Sequence, residues 1–358
     1  MRIVQVHNSL TFGDAIGNTL RTINDIILRM GYETEIVASK CDSRIHVDNI
    51  RVVGDDVPEF KADDILILHM CSFAQINEYV YNSPNRKFMI YHNITPPEFF
   101  DGFAPGSANS CRKGLEQVRR ISGCFERIIA DSEYNKSDLI EYGVPAEKID
   151  VIPIVVPFND YRQKPDFNYV SQFMDGKTNI LFVGRIAPNK KQEDIIRQFA
   201  HYKKHVNADS RLIFVGRDDS ASSYMKSLKD YIKALDVKDV VFPGHVSFRQ
   251  ILAFYKIADV FLCMSEHEGF CVPLVEAMFM QTPIIAYAST AVPETMGGSG
   301  IVIDDKNPAY VAAVIDEVVS NAVLRKELIN SQNTRLKDFE YGVIAAKWIE
   351  FVWNLMES

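Results

Sequence analysis

The feature that most constrains the fold is a repeated alternation of short apolar runs with stretches of helical periodicity. Parallel strands cannot be joined by a tight turn and need a long crossover, so this alternation is the pattern of parallel sheets with connecting helices. In the first half the runs predict strands at residues 2–6, 33–38, 49–53, 64–68, 87–91, 127–130 and 149–154, with helices at 16–30 and 135–142 among the intervening segments. Periodicity lapses over 157–177, a polar stretch with Asn, Asp, Gln and Pro that reads as a linker. It restarts at Asn179-Ile180-Leu181-Phe182-Val183-Gly184 and predicts strands at 211–215, 240–242, 260–264, 283–286 and 300–303. Near the end, Trp348, Phe351, Val352 and Leu355 form one stripe of an amphipathic helix. Two successive doubly wound units predict a cleft between domains, where ligands meet the carboxyl ends of strands.

A chain of 358 residues, 47% hydrophobic and 24% charged, is long enough for two domains with sizeable cores. Its net charge of −8 argues against a general nucleic-acid binder. Cys41, Cys71, Cys111, Cys124, Cys263 and Cys271 include no C-x-x-C pair and no zinc-type His spacing, so all are read as reduced thiols, as suits a cytoplasmic protein. Met1-Arg2-Ile3-Val4 leads straight into a strand pattern, so no signal peptide is expected, and no apolar run reaches membrane-spanning length. One segment runs against the acidic balance: Arg112, Lys113, Arg119, Arg120 and Arg127 face only Glu116 and Glu126, a net +3. It reads as a solvated helix face or as a contact for anionic lipid headgroups or a lipid-diphosphate acceptor.

The most informative stretch is Ser265-Glu266-His267-Glu268-Gly269-Phe270-Cys271-Val272-Pro273-Leu274-Val275-Glu276. It follows an apolar strand and opens a short helix, so Glu268 lies in a strand-to-helix turn and Glu276 about one turn into the helix. Free N–H groups at a helix start attract anions, and carboxylates accept hydrogen bonds from sugar diols. Together they suit a ligand with both phosphate and hydroxyls, a nucleotide sugar. A second site opens the second half, Val183-Gly184-Arg185-Ile186-Ala187-Pro188-Asn189-Lys190-Lys191. Gly184 allows close backbone approach, and Arg185 with a lysine makes a diphosphate clamp. His92, in Tyr91-His92-Asn93-Ile94-Thr95-Pro96-Pro97-Glu98, ends a strand of the first half. Phe12-Gly13-Asp14-Ala15 lacks dinucleotide-fingerprint spacing, which disfavours a nicotinamide dehydrogenase; Gly13 and Asp14 either line a ligand site or form a turn with a helix cap.

The Glu268-to-Glu276 spacing, with Gly-Phe after the first acid and Pro before the second, resembles the signature of retaining glycosyltransferases of family 4, and the resemblance extends over essentially the whole chain. It implies the GT-B fold: an N-terminal Rossmann-like acceptor domain at 1–165, a C-terminal Rossmann-like donor domain at 166–340 whose parallel sheet faces the first across a cleft, and a helix at 341–358 crossing back onto the first domain. It selects Lys190 over Lys191 and puts His92 against the transferred sugar. It makes the turn of Gly244, His245 and Val246 a holder of the nucleotide base and matches Ser132 to a Ser-x-x-x-Lys segment, where a helix N-cap is the plainer reading. The run YHNITPPEFF is similar to bacterial polysaccharide and lipopolysaccharide mannosyltransferases.

The expected reaction is retaining transfer of a hexosyl group, mannose from GDP-mannose first and a UDP-sugar second, to a glycan or lipid-linked glycan in surface polysaccharide synthesis. Glu268, His92, Arg185 and Lys190 are the expected catalytic residues. Donor binding is assigned to Gly13, Asp14, Gly184, Arg185, Lys190, His245, Val246, Glu268, Gly269, Phe270, Cys271, Val272 and Glu276. No Asp-x-Asp motif is present, so neither a metal nor another cofactor is expected. A cytoplasmic location is expected, with peripheral contact at the inner membrane surface left open and no nucleic-acid partner. A nucleotide-sugar epimerase and a non-catalytic nucleotide-sugar-binding module are the rival classes.

Overall fold

The computed structural model describes residues 1–217, 222–244 and 246–357. A strand forms at every predicted run. The first seven are β1 (Arg2–Leu10), β2 (Glu33–Cys41), β3 (Ile50–Val52), β4 (Ile65–Met70), β5 (Lys87–Tyr91), β6 (Ile128–Ala130) and β7 (Ile149–Val151). They pair in the order β3-β2-β1-β4-β5-β6-β7. The other six are β8 (Thr178–Val183), β9 (Ser210–Val215), β10 (Val240–Val241), β11 (Val260–Cys263), β12 (Ile284–Tyr287) and β13 (Ile301–Ile303). Their order is β10-β9-β8-β11-β12-β13. All pairings in both sheets are parallel. The strand order reverses once in each sheet, between β1 and β4 and between β8 and β11, and in open α/β sheets ligands bind outside the carboxyl ends of the strands at such points.

The central strands read as unbroken apolar runs because helices cover both faces. Every residue of β4 and of β9 is buried. Helices begin where the sequence supplies caps: Ser132 accepts from the Asn135 N–H, and Asn307 from the N–H groups of Ala309 and Tyr310.

The chain divides into two compact units, one of Met1–Pro97, Asn109–Pro157 and Phe339–Ser358, the other of Glu98–Ala108 and Phe158–Asp338. In the first unit, helix Tyr341–Glu357 buries Trp348, Phe351, Val352 and Leu355 with Ile23, Ile27 and Phe88. The second unit packs Phe182, Phe199, Phe214 and Leu262 into its own core.

The stretch at 157–177, read as a linker, instead holds helices Phe158–Tyr161 and Phe167–Val170 and a 3-10 turn, Ser171–Phe173. Each is a single turn, too short to leave a periodic signal. Aromatic anchors hold them down: Phe158 stacks on Phe279 at 5.0 Å and Phe173 meets Phe254 at 5.7 Å. Among the described residues no helix is long and apolar enough to cross a membrane.

Candidate functional site

The second sheet's reversal point lies between β8 and β11, and the loops after these two strands carry the residues singled out in the sequence. After β8 the chain passes through Gly184 at φ +153°, packed against Gly216 at the end of β9. A Cβ on Gly216 would lie 1.7 Å from the Gly184 carbonyl oxygen, so the two strand ends approach as only glycine allows. Arg185 follows and is exposed. The 3-10 turn Pro188–Lys190 then presents Lys190 and is closed by Lys191 in the left-handed region, φ +51°.

The loop after β11 is tied to its surroundings residue by residue. Asn189 Nδ2 donates to the His267 carbonyl at 3.0 Å, and the Asn189 carbonyl accepts from the Glu266 N–H at 2.9 Å. Thr290 Oγ1 accepts from the Glu268 N–H at 2.9 Å, and Ser289 Oγ donates to the Ser265 carbonyl at 2.6 Å. Lys306 Nζ donates to Glu266 Oε1 and Asp194 Oδ2, both at 2.8 Å. On this frame Lys190 Nζ donates to Glu268 Oε2 at 2.5 Å, with only 17% and 7% of the two side chains exposed. A charge-assisted bond this sheltered fixes both groups in register. Lys191 is matched elsewhere, 3.2 Å from Glu266 and 3.6 Å from Glu193.

Past Glu268, Gly269 is half-buried, and the buried Phe270 accepts from Thr295 Oγ1 through its carbonyl at 2.5 Å. Cys271 takes φ +71° and precedes helix Val272–Phe279, with the half-buried Val272 as its first residue. On that helix Glu276 accepts from Tyr161 OH at Oε1 and from Tyr255 OH at Oε2, the latter at 2.7 Å. Burial pushes the Glu276 carboxyl up, and the two phenolic donors pull it back. Sequence reasoning missed both tyrosines, which lie 115 and 21 residues away. It also missed His267, 4% exposed and held down to about 4 by burial. Of the turn expected to hold the nucleotide base, Gly244 has φ +75°, Val246 is half-buried and Ser247 forms a capping box with Gln250; His245 lies outside the described residues.

Cys263, Glu268 and Cys271, all buried, offer ligand atoms within 4.8 Å of one another. A search for C-x-x-C spacing does not find them because one thiol ends a strand and the other closes the turn. Such a set suits a thiophilic ion, but Glu268 already serves Lys190. No disulfide joins cysteines among the described residues.

In the first unit, Gly13 has φ +76° with open space where a Cβ would stand. Asp14 occupies the N-cap position of helix Ala15–Arg29 but makes no side-chain cap bond. His92 follows β5, and both ring nitrogens are engaged: Nδ1 with Asp131 Oδ2 at 2.9 Å and Nε2 with His69 Nδ1 at 3.0 Å. The basic stretch is largely matched at close range. Arg120 pairs with Glu78, Arg127 with Asp150 at 2.7 Å, and Lys113 and Arg119 lie over Phe73 and Tyr142.

Two parallel, Rossmann-like sheets that each reverse order once define the GT-B class of fold. A protein of Anabaena, HepE, solved in complex with UDP and glucose, superposes with a TM-score of 0.78, covering 99% of this chain and 100% of that one at 17% identity. Residues 164–335 match the family described as Glycosyl transferases group 1. The D-inositol 3-phosphate glycosyltransferase of Kineococcus radiotolerans is 27% identical over 251 residues, 65% of this chain and 58% of that protein. The GDP-mannose-dependent alpha-(1-6)-phosphatidylinositol monomannoside mannosyltransferase of Mycobacterium tuberculosis is 23% identical over 255 residues, 66% and 63% of the two chains. The chain thus spans less than two thirds of the length of these curated relatives.

Proposed function

We propose that the chain is a retaining, metal-independent glycosyltransferase that moves a hexosyl group from a nucleotide-diphosphate sugar to a glycan or lipid-linked glycan. The observation that carries this reading is the Lys190–Glu268 pair, which bridges the loops after β8 and β11 at the reversal point of a glycosyl transferases group 1 domain. Lys190, the exposed Arg185 and the backbone at Gly269–Cys271 oppose the charge that grows on the departing diphosphate. Preorganised donors of this kind contribute about 2.7–4 kcal/mol each. Glu268 orients the sugar through its hydroxyls. Glu276 holds the ribose diol: a carboxylate has about four acceptor positions, and the two tyrosines take one on each oxygen. Gly184 lets the backbone approach the phosphates.

GDP-mannose is the favoured donor, supported by the His92 segment and by the mannosyltransferase relative. A UDP-sugar is the second reading, favoured by the UDP complex of the Anabaena protein. Calorimetric titration with GDP, UDP and ADP, then with their sugars, separates them. Tight binding of GDP and GDP-mannose alone is the expected result; selective UDP binding overturns the mannose assignment, and binding of none removes the donor site. Product NMR should show the donor's anomeric configuration kept, and turnover should survive EDTA. An inverted anomer or abolished turnover sinks the corresponding half of the mechanism.

A further inference from the structure

Cys263, Glu268 and Cys271 stand on one strand-to-helix connection of the second unit, and the fold brings their ligating atoms together. Cys263 ends β11, Glu268 lies in the loop that follows, and Cys271 closes that loop against helix Val272–Phe279. One atom from each, two Sγ and a carboxylate oxygen, lie within 4.8 Å of one another. Among the described residues no other group of three or more His, Cys, Asp or Glu side chains is so placed. The three residues are 1%, 7% and 6% exposed. The two thiols hydrogen-bond to each other, and Cys263 Sγ also donates to Ser265 Oγ at 3.4 Å.

The spacing is close to what a metal ion needs. Tetrahedral zinc binds thiolate sulfur at about 2.3 Å and carboxylate oxygen at about 2.0–2.2 Å, which sets neighbouring ligand atoms about 3.6–3.8 Å apart. From 4.8 Å the set has to close by only about 1 Å. Cys271 adds a separate sign. It takes φ +71°, a region that disfavours residues with a Cβ and that glycine fills by default. Such strained positions cluster at functional sites, yet neither thiol has a part in the transfer chemistry above.

We propose that Cys263, Glu268 and Cys271 form an inhibitory site for a thiophilic divalent cation of the zinc class. Two soft sulfur ligands select such an ion over magnesium or calcium. Binding releases both thiol protons to solvent, forms two metal–sulfur bonds and one metal–oxygen bond, and leaves the fourth position to water. The inhibition, unlike the site, rests on the transferase reading. There the Glu268 carboxylate orients the sugar hydroxyls and pairs with Lys190 at 2.5 Å. A bound ion takes that carboxylate over and sets its own positive charge beside Lys190. Turnover then proceeds without metal and stops when a soft metal arrives.

The test uses the full chain, reduced, stripped with EDTA and dialysed. Cd²⁺ is the probe, because its bonds to thiolate absorb in the ultraviolet. One equivalent should raise a sulfur-to-cadmium band of the strength expected for two thiolates. Cys263→Ala should cut that band by about half and weaken binding at least about tenfold, a loss that follows even from removing an outer partner of a metal site. Cys124→Ser, which removes an exposed thiol elsewhere, should change neither. Absence of the band in the wild type, which needs no variant to be read, overturns the site, and so does a Cys263→Ala titration identical to wild type. In activity assays one equivalent of Zn²⁺ should stop wild-type turnover and EDTA should restore it. Cys263→Ala should turn over without metal and resist Zn²⁺. Wild-type turnover that Zn²⁺ leaves untouched overturns the inhibition. The cadmium titration involves no substrate, so a chain that binds no nucleotide loses the transferase reading and keeps the metal site.

Discussion

At the scale of single residues, charge and burial make separable predictions. Glu268 is 7% exposed and bound to Lys190, yet the loop around it is held by Asn189, Ser289, Thr290 and Lys306, none of which needs its carboxylate. Glu268→Gln should therefore lower kcat by about 10²-fold or more while leaving the melting temperature close to wild type. Wild-type turnover would reject the site. His267 predicts a pH dependence. Unfolded, it protonates near pH 6.5; folded, burial delays this to about 4. Between those values the unfolded chain binds more protons, so stability falls as pH drops through the window, by about 3 kcal/mol at full extent. His7 titrates in the same window, so His267→Gln should remove part of the acid limb of the melting curve. An unchanged limb would mean that His267 is not held neutral.

At the scale of elements, every strand was legible because β-length apolar runs between helical stretches leave a strong local signal. The turns that carry Glu268 and Lys190 were legible too, since their neighbours are informative. What stayed hidden was what long sequence separation brings together. The tyrosines on Glu276, the His92–His69 contact and the thiol–carboxylate set at Cys263, Glu268 and Cys271 depend on which strands become neighbours. The single-turn helices at 158–173 were lost for the opposite reason, being too short to carry a period. Gly216 had a signal that went unread: Val215-Gly216-Arg217 repeats Val183-Gly184-Arg185 at the end of the adjacent strand. With a Cβ 1.7 Å from the Gly184 oxygen, which is backbone and cannot swing away, Gly216→Ala must push the two strand ends apart. A loss of at least about 2 kcal/mol is expected, a fall of about 4–8 °C in melting temperature, together with weaker nucleotide binding as Gly184 and Arg185 shift. A melting temperature within a degree of wild type would show that the strand ends do not meet this closely.

At the scale of the whole molecule, chain order and compact units do not coincide. Residues from Phe339 onward follow the entire second sheet in sequence but belong to the first unit. There Trp348 is fully buried, edge-on to Phe351 at 5.7 Å, and Arg86 Nη1 donates to the Leu355 carbonyl at 3.1 Å. Trp348→Ala should cost about 3–5 kcal/mol through lost burial and the cavity left behind. The location of the damage is the sharper prediction. Amide exchange should accelerate around Ile3, Ile23, Ile65 and Phe88, which share a core with Trp348, while Phe182, Phe214 and Leu262 keep their protection. Trp348 Nε1 is buried without a partner, so Trp348→Phe removes an unsatisfied donor along with some volume and should cost distinctly less than the alanine variant. If Trp348→Ala instead loosens the second sheet first, the last helix stabilises a different part of the chain from the one whose core it completes.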